Sequence, residues 1–506
     1  LRPDELTLDN VSVRLGESTL LLTGTLPASG ELDRFDLRVR SERLALDGTT
    51  RDALPPSLRA HWDSISPGGD VRLDLRCSRG QPASAPADAD GGIMYRAEIE
   101  PLGATACLDL FPLPLYDVHG RIVIVPGEVT LESVSARSDW TRFRFAGRVD
   151  TRAERTKVSM TLDARNIEFT EVLRRAVPWR IRRQWNSLQP TGRMDLSLSR
   201  LEFREGGDED DVWDFEGVAR FHDATLSAGT KLTEINGELR ATGRVSGQLS
   251  VEAQAELSRI RVDDWLVRDA RFYAHRRPGT DILRIGDIRG EFYEGALNGE
   301  VAIDYGPRTP RFEVTLSGRD ISLHRFLNDN LQPDEQPVSA QGIIDANLAI
   351  AGQFGHPGSR RGRGDVVIRE AQIVKLPLVL AILRLINFAI EDDNAFHTAE
   401  ARFDVDGSDL VLSEIDLRGK AMSLVGAGTV QTTTETLDLT MLIGSPHRLP
   451  RIAVLTDLVE GIARELVEVR VKGTLTDPKL SANVVRSVKN TLEAILSARQ
   501  RSARAR

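Results

Sequence analysis

The chain has 506 residues, of which 66 are basic and 75 acidic, leaving a net charge of −9. With 41% hydrophobic and 28% charged residues it can bury a real core, which excludes a chain disordered by composition, and the acidic balance argues against a generic polyanion binder. No nucleic-acid partner is therefore expected, and the length fits three or four ordinary domains or one long one. Only seven of the basic residues are lysine.

Two cysteines, Cys77 and Cys107, exclude a disulfide scaffold and a cysteine-rich zinc site. One bridge between them stays open as an alternative to two small buried residues. No window holds 18 uninterrupted apolar residues, so no membrane span is expected within the chain. The sequence opens at Leu1 in a strand-like pattern, and we expect it to be cut from a longer protein with its anchor upstream.

Four segments align on a glycine: Gly24, Gly147, Gly299 and Gly428. Ten residues before each stands an arginine, Arg14, Arg137, Arg289 and Arg418, and two after each an apolar residue, Leu26, Val149, Val301 and Val430. The intervening residues alternate, as in Phe143-Arg-Phe145-Ala-Gly147-Arg-Val149, the pattern of a strand with one apolar face. The repeats lie near 6–75, 129–198 and 283–350, within a region of short amphipathic strands from 1 to 365. Tight turns between the strands make an antiparallel meander the natural topology.

The first two copies share an insert at an offset of 123 residues, with Trp62 answering Trp185 and Gly69 answering Gly192. Its apolar residues, Leu58, Trp62 and Ile65, fall on one face of a short helix. The third copy is expected to replace that insert with a polar stretch, Asn328–Gln341. Further on, Gly355–Gly364 lacks the lysine of a phosphate-binding loop and reads as a hairpin loop.

From 366 the character changes. Leu376–Ile390 is an apolar helical stretch containing Leu378, Leu383 and Ile386. Strands return over Ala401–Met441, followed by an amphipathic helical pattern carrying Ile452, Leu455, Val459 and Ile462. The region ends near 480 in one more strand, and 481–506 reads as an amphipathic helix with a basic tail. These helices are expected either to cap the sheet or to dock on a membrane surface.

Catalytic signals are absent from the sequence. The eight histidines are scattered without metal-ligand spacing, and there is no nucleophile elbow and no P-loop. No enzyme, cofactor or metal is expected. A sheet that is apolar on one face for hundreds of residues must cover that face. A packed sandwich, a filled β-solenoid or a groove holding another molecule would each do so.

The C-terminal third resembles the AsmA-like family of bacterial envelope proteins, within the group of bridge-like lipid-transfer proteins. The residues that carry the resemblance are Gly362-Arg-Gly364-Asp-Val366-Val-Ile368, Ala371 to Pro377, Phe396 to Phe403, Gly426-Ala-Gly428-Thr-Val430, and Val471-Lys-Gly473-Thr-Leu475-Thr-Asp477-Pro478. The resemblance implies a mainly β fold, an elongated, twisted sheet curled into a taco-like groove. It also implies a periplasmic protein held to the inner membrane by an N-terminal helix and working in outer-membrane biogenesis. Lipids would be its partners, with the inner and outer membranes at its ends, and the chain is expected to act as a monomer.

On this reading Leu22, Leu26, Phe145, Val149, Leu297, Val301, Leu424 and Val430 line the groove floor. Gly24, Gly147, Gly299 and Gly428 bend the sheet or leave room for an acyl chain. An envelope scaffold without lipid cargo and a β-solenoid acting on polysaccharide are the alternatives.

Overall fold

A computed structural model describes residues 5–27, 34–79, 93–109, 111–150, 155–177, 182, 185–186, 188–207, 210–227, 229–329, 337, 340–372, 396–420, 422–445, 467–474 and 478–484. The period-two pattern becomes strand almost throughout, and the chain is mainly β, with 25 strands in one sheet. It divides into two compact units, Leu1–Ala255 and Glu256–Arg506.

The first unit contains β1 (Glu5–Leu15), β2 (Ser18–Pro27), β3 (Phe35–Ala45), α1 (Gly48–Ala53), α2 (Pro56–Ile65), β4 (Asp70–Arg79), β5 (Ile93–Leu108), β6 (Phe111–Val125) and β7 (Glu128–Ser138). It continues with β8 (Thr141–Asp150), β9 (Lys157–Glu168), α3 (Glu171–Ala176), β10 (Thr191–Arg204), β11 (Val212–Ser227) and β12 (Lys231–Ser246). Each strand from β1 to β12 pairs antiparallel with the next. The division between units falls inside β13 (Gln248–Val262).

The second unit holds β14 (Trp265–Arg276), β15 (Ile282–Phe292), β16 (Gly295–Asp304), β17 (Arg311–Ser322), α4 (Leu323–Asn328), β18 (Gln341–Gln353), β19 (His356–Gln372) and β20 (Thr398–Asp406). Then come β21 (Asp409–Arg418), β22 (Ser423–Gln431), β23 (Thr436–Gly444), β24 (Val467–Thr474) and β25 (Pro478–Val484). Consecutive strands from β14 to β25 again pair antiparallel. Among the described residues β1 pairs only with β2 and β25 only with β24, so the sheet is not closed into a barrel.

The 123-residue offset holds at the level of single hydrogen bonds. Asp47 caps α1 by accepting from the Thr50 N–H, and Thr170 caps α3 by accepting from the Leu173 N–H. Gly69 and Gly192 share a φ of +86°, and their carbonyls accept from Leu46 and Phe169. Ser66 and Gln189 share a φ of +45°, and their N–H groups bond Trp62 and Trp185. Matching positions have thus folded into matching caps and turns, even where Asp47 answers Thr170 and Ser66 answers Gln189.

Helix α4 stands where α1 and α3 stand in the first two copies, ahead of the insert, and Ser322 caps it by accepting from the Arg325 N–H. Most of the polar stretch expected in the insert's place, Asn328–Gln341, lies outside the described residues. One sequence expectation needs correction. The glycine-rich run after Gly355 is strand, since β19 begins at His356 and the turn occupies only Phe354 and Gly355. Its three arginines, Arg360, Arg361 and Arg363, hid the alternation. The sequence boundary at 365 likewise falls within β19, which runs through it.

Candidate functional site

Because directly opposed residues share a face, the strand registers trace rows across each sheet. In the first unit one row runs from Val11 through Leu22, Val39, Leu75, Ala97, Ile124, Val129, Val149, Val158, Phe203 and Trp213 to Val245. It crosses β1 to β12 without one polar side chain. A parallel row carries Val134, Phe145, Leu162, Leu198, Gly217 and Ala241.

The second unit repeats the arrangement from β15 to β25. One row is Ile285, Val301, Val314, Ile350, Gly362, Val405, Leu410, Val430, Leu437, Gly473 and Pro478. Its neighbour is Ile288, Gly299, Leu316, Leu348, Gly364, Phe403, Leu412, Gly428, Leu439, Val471 and Leu480. No charge or hydroxyl interrupts either.

The opposite face takes the charges. Arg38 pairs with Asp74, Arg121 with Glu98, Arg369 with Asp345, and both Arg204 and Arg244 with Asp214. Hydrogen bonds from Arg244 and then Arg204 hold the Asp214 carboxyl below its ordinary range, although burial opposes them. The repeat arginines lie on this face as well: Arg137 pairs with Asp117 and Arg418 with Asp416, while Arg14 and Arg289 are exposed.

How far the apolar face is covered varies along the strands. Near the helices it is packed: Ala104, Leu115, Val118, Val134 and Ala136 form one buried cluster, and Ile321, Leu323, Ala340 and Ile344 another beside α4. Away from them most row residues are only half-buried, except at β23 and β24, where Leu437, Leu439 and Val471 are buried. Leu22, Leu26, Phe145, Val149, Leu297, Val301 and Val430 all keep some exposed surface. On β1 Leu6, Val11 and Val13 are 54%, 39% and 40% exposed.

Leu424 differs. It is fully buried with Phe396, Leu417, Met441 and Ile443 in a cluster spanning β21 to β24, so it belongs to a packed core rather than an open floor. Leu378, Leu383, Ile386, Ile452, Leu455, Val459 and Ile462 lie outside the described residues.

The four repeat glycines have a more specific role than leaving space. A β-carbon on Gly299 would meet Leu316 Cδ2 at 2.6 Å, and one on Gly428 would meet Leu439 Cδ2 at 2.8 Å, so neighbouring side chains already fill that volume. At Gly147 the Met160 Cα stands 2.6 Å away, and Gly24 has a φ of +144° with the Asp36 carbonyl against it. Beside each glycine the paired strand carries a β-bulge, at Leu8/Val11, Leu131/Val134, Ile285/Ile288 and Leu412/Ile415. Bulges bend a strand and increase its twist, and the glycine accommodates the close approach.

Both cysteines are free and half-buried. Cys77 sits between Leu37 and Tyr95 in an apolar row, and burial pushes its thiol pKa up. Among the described residues no group of His, Cys, Asp and Glu has the arrangement to hold a metal ion, and no helix is long and apolar enough to cross a membrane. Sequence reasoning missed two cavities, the larger of them lined by polar-row residues together with apolar-row ones such as Val314, Leu348 and Phe403. One of about 1550 Å³ lies along β17 to β23, bounded by such residues as Thr315, Asn347, Arg363, Asp404 and Asp438. The other, of about 350 Å³, is arginine-lined in the first unit. Only the folded registers assemble either one. The chain matches no known family model and no curated protein.

Proposed function

We propose that the apolar face of each unit binds the acyl chains of lipids, and that the protein transfers lipid non-enzymatically between the inner and outer membranes of a bacterial envelope. The observation that carries this reading is the unbroken apolar row, its side chains mostly half-buried, running across β1 to β12 and again from β15 to β22, beyond which Leu437, Leu439 and Val471 enter the buried cluster around Leu424. Exposing a methylene to water costs about 0.8 kcal/mol, so a tail of about 16 carbons costs on the order of 12 kcal/mol. A face that offers similar side chains at every strand offsets that cost at each position. No deep single site arises, so a chain can slide from row to row. The resemblance of 362–480 to AsmA-like proteins supports the same reading and its periplasmic setting.

The test is lipid recovery. Purified without strong detergent, the protein should carry phospholipid in at least stoichiometric amount by native mass spectrometry and extraction. A protein free of lipid, which also takes up none from vesicles, would favour a scaffold. The buried cluster around Leu424 is the feature that such a reading would extend to the whole face.

A further inference from the structure

The polar face of the first unit carries a concentration of positive charge that its own fold does not need. Arg137, Arg142 and Arg165 stand directly opposite one another across β7, β8 and β9, and Arg144 lies on the same side two residues along β8. Like charges in direct cross-strand opposition destabilise a sheet. Three carboxylates answer these four arginines: Asp117 pairs with Arg137, Asp163 with Arg165 at 3.1 Å, and Asp195 lies within electrostatic reach of Arg165. Arg142 and Arg144 are exposed and hold no ion pair among the described residues. The four arginines, Asp117 and Asp163 border a single cavity of about 350 Å³.

The repeat supplies an internal comparison. At the 123-residue offset the first copy builds the same strands with Arg14, Thr19, Leu21 and Glu42 in place of Arg137, Arg142, Arg144 and Arg165. Those four positions sum to zero in the first copy, where Arg40 and Arg72 take the places of Asp163 and Asp195, so four arginines gathered at these positions are a feature of the second copy and not of the repeat. Beside them the turn between β7 and β8 presents Trp140, 78% exposed and held by its carbonyl, which accepts from the Asn166 side chain.

From this arrangement we infer that the cavity binds a phosphate ester. Guanidinium forks match phosphate oxygens in pairs, and two unpaired arginines beside two paired ones give a net positive site of suitable size. The exposed Trp140, in the turn that leads into Arg142, suits a ligand whose phosphate continues into a less polar part, as glycerophosphate and a lipid headgroup both do. The site lies on the polar face and does not depend on acyl chains binding the other.

The probes are sn-glycerol 3-phosphate, followed by calorimetry, and vesicles of phosphatidylcholine with and without phosphatidic acid, followed by co-sedimentation. Saturable binding in either arm supports the site, and the arm that binds identifies the source as soluble or membrane-borne. R142Q/R144Q should weaken that binding by about tenfold or more, whereas R40Q/R76Q, which removes two exposed arginines from the same face, should change it less than about twofold. R142K/R144K should recover part of the affinity, which separates loss of the site from loss of the fold. Equal losses in the two Gln variants, or no saturable binding to either probe, would overturn the inference.

Discussion

The ring of Phe403 lies over Gly364 so closely that a β-carbon on the glycine would overlap its Cζ, while the Asn347 carbonyl oxygen stands 2.8 Å from the same point. An aromatic side chain thus covers a glycine on the paired strand, and Phe312 over Gly352 and Phe215 over Gly243 repeat the relationship. Gly364→Ala should therefore cost about 1–3 kcal/mol, because both a ring and a backbone oxygen must give way. Gly286→Ala is the contrast: nothing lies within 4 Å of its β-carbon position. It should be neutral or stabilising by up to about 1 kcal/mol. Urea unfolding followed by circular dichroism compares the two.

Phe145→Glu and Leu297→Glu place a charge on half-buried row positions. Both variants should keep their far-ultraviolet spectrum and lose bound lipid. Leu424→Glu puts the same charge where no solvent reaches and should unfold the second unit, since an unpaired buried carboxylate costs several kcal/mol. If all three variants unfold alike, the row positions are core.

Asp214 makes stability depend on pH. Its folded pKa lies below the ordinary 3.8, so its contribution is complete above that value and disappears as pH falls through the lowered one. Asp214→Asn should lose about 1–2 kcal/mol at pH 7, the partly exposed arginines limiting the effect. As pH falls below the lowered pKa the variant and the parent should converge. Denaturation midpoints across that range check the sign.

Cys77 offers a reporter on the apolar face. Its raised pKa should make it react more slowly than an unperturbed thiol at pH 8, and an acyl chain lying along Leu37, Cys77 and Tyr95 should slow it further. Alkylation of a C107S variant, before and after delipidation, measures this directly. Delipidation should raise the rate, and an unchanged rate would leave that row without a guest.

Much of this architecture was legible because strand periodicity and turn residues are local signals. Phe143, Phe145, Gly147 and Val149 declare one face by alternation alone, and the 123-residue offset matched Trp62 to Trp185 and Gly69 to Gly192, which take matching turns in the structure. Helix α4 escaped notice because six residues make too short a period, although Ser322 stood in the right place to cap it. Leu424 and Val430 have the same parity, so no pattern could tell the buried one from the half-exposed one. Coverage depends on residues remote in sequence. The arginine cavity was invisible for a related reason: Asp117 and Arg165 meet only once β6 to β9 have set their registers.

Photocrosslinking from single positions in living cells tests the central claim most directly. Benzoylphenylalanine at Leu22, Val149 or Val301 faces the apolar rows, and at Thr130 or Thr315 the polar ones. Apolar-row positions should capture phospholipid on irradiation and polar-row positions should not. Capture of protein alone, or equal lipid capture from both faces, would contradict the account.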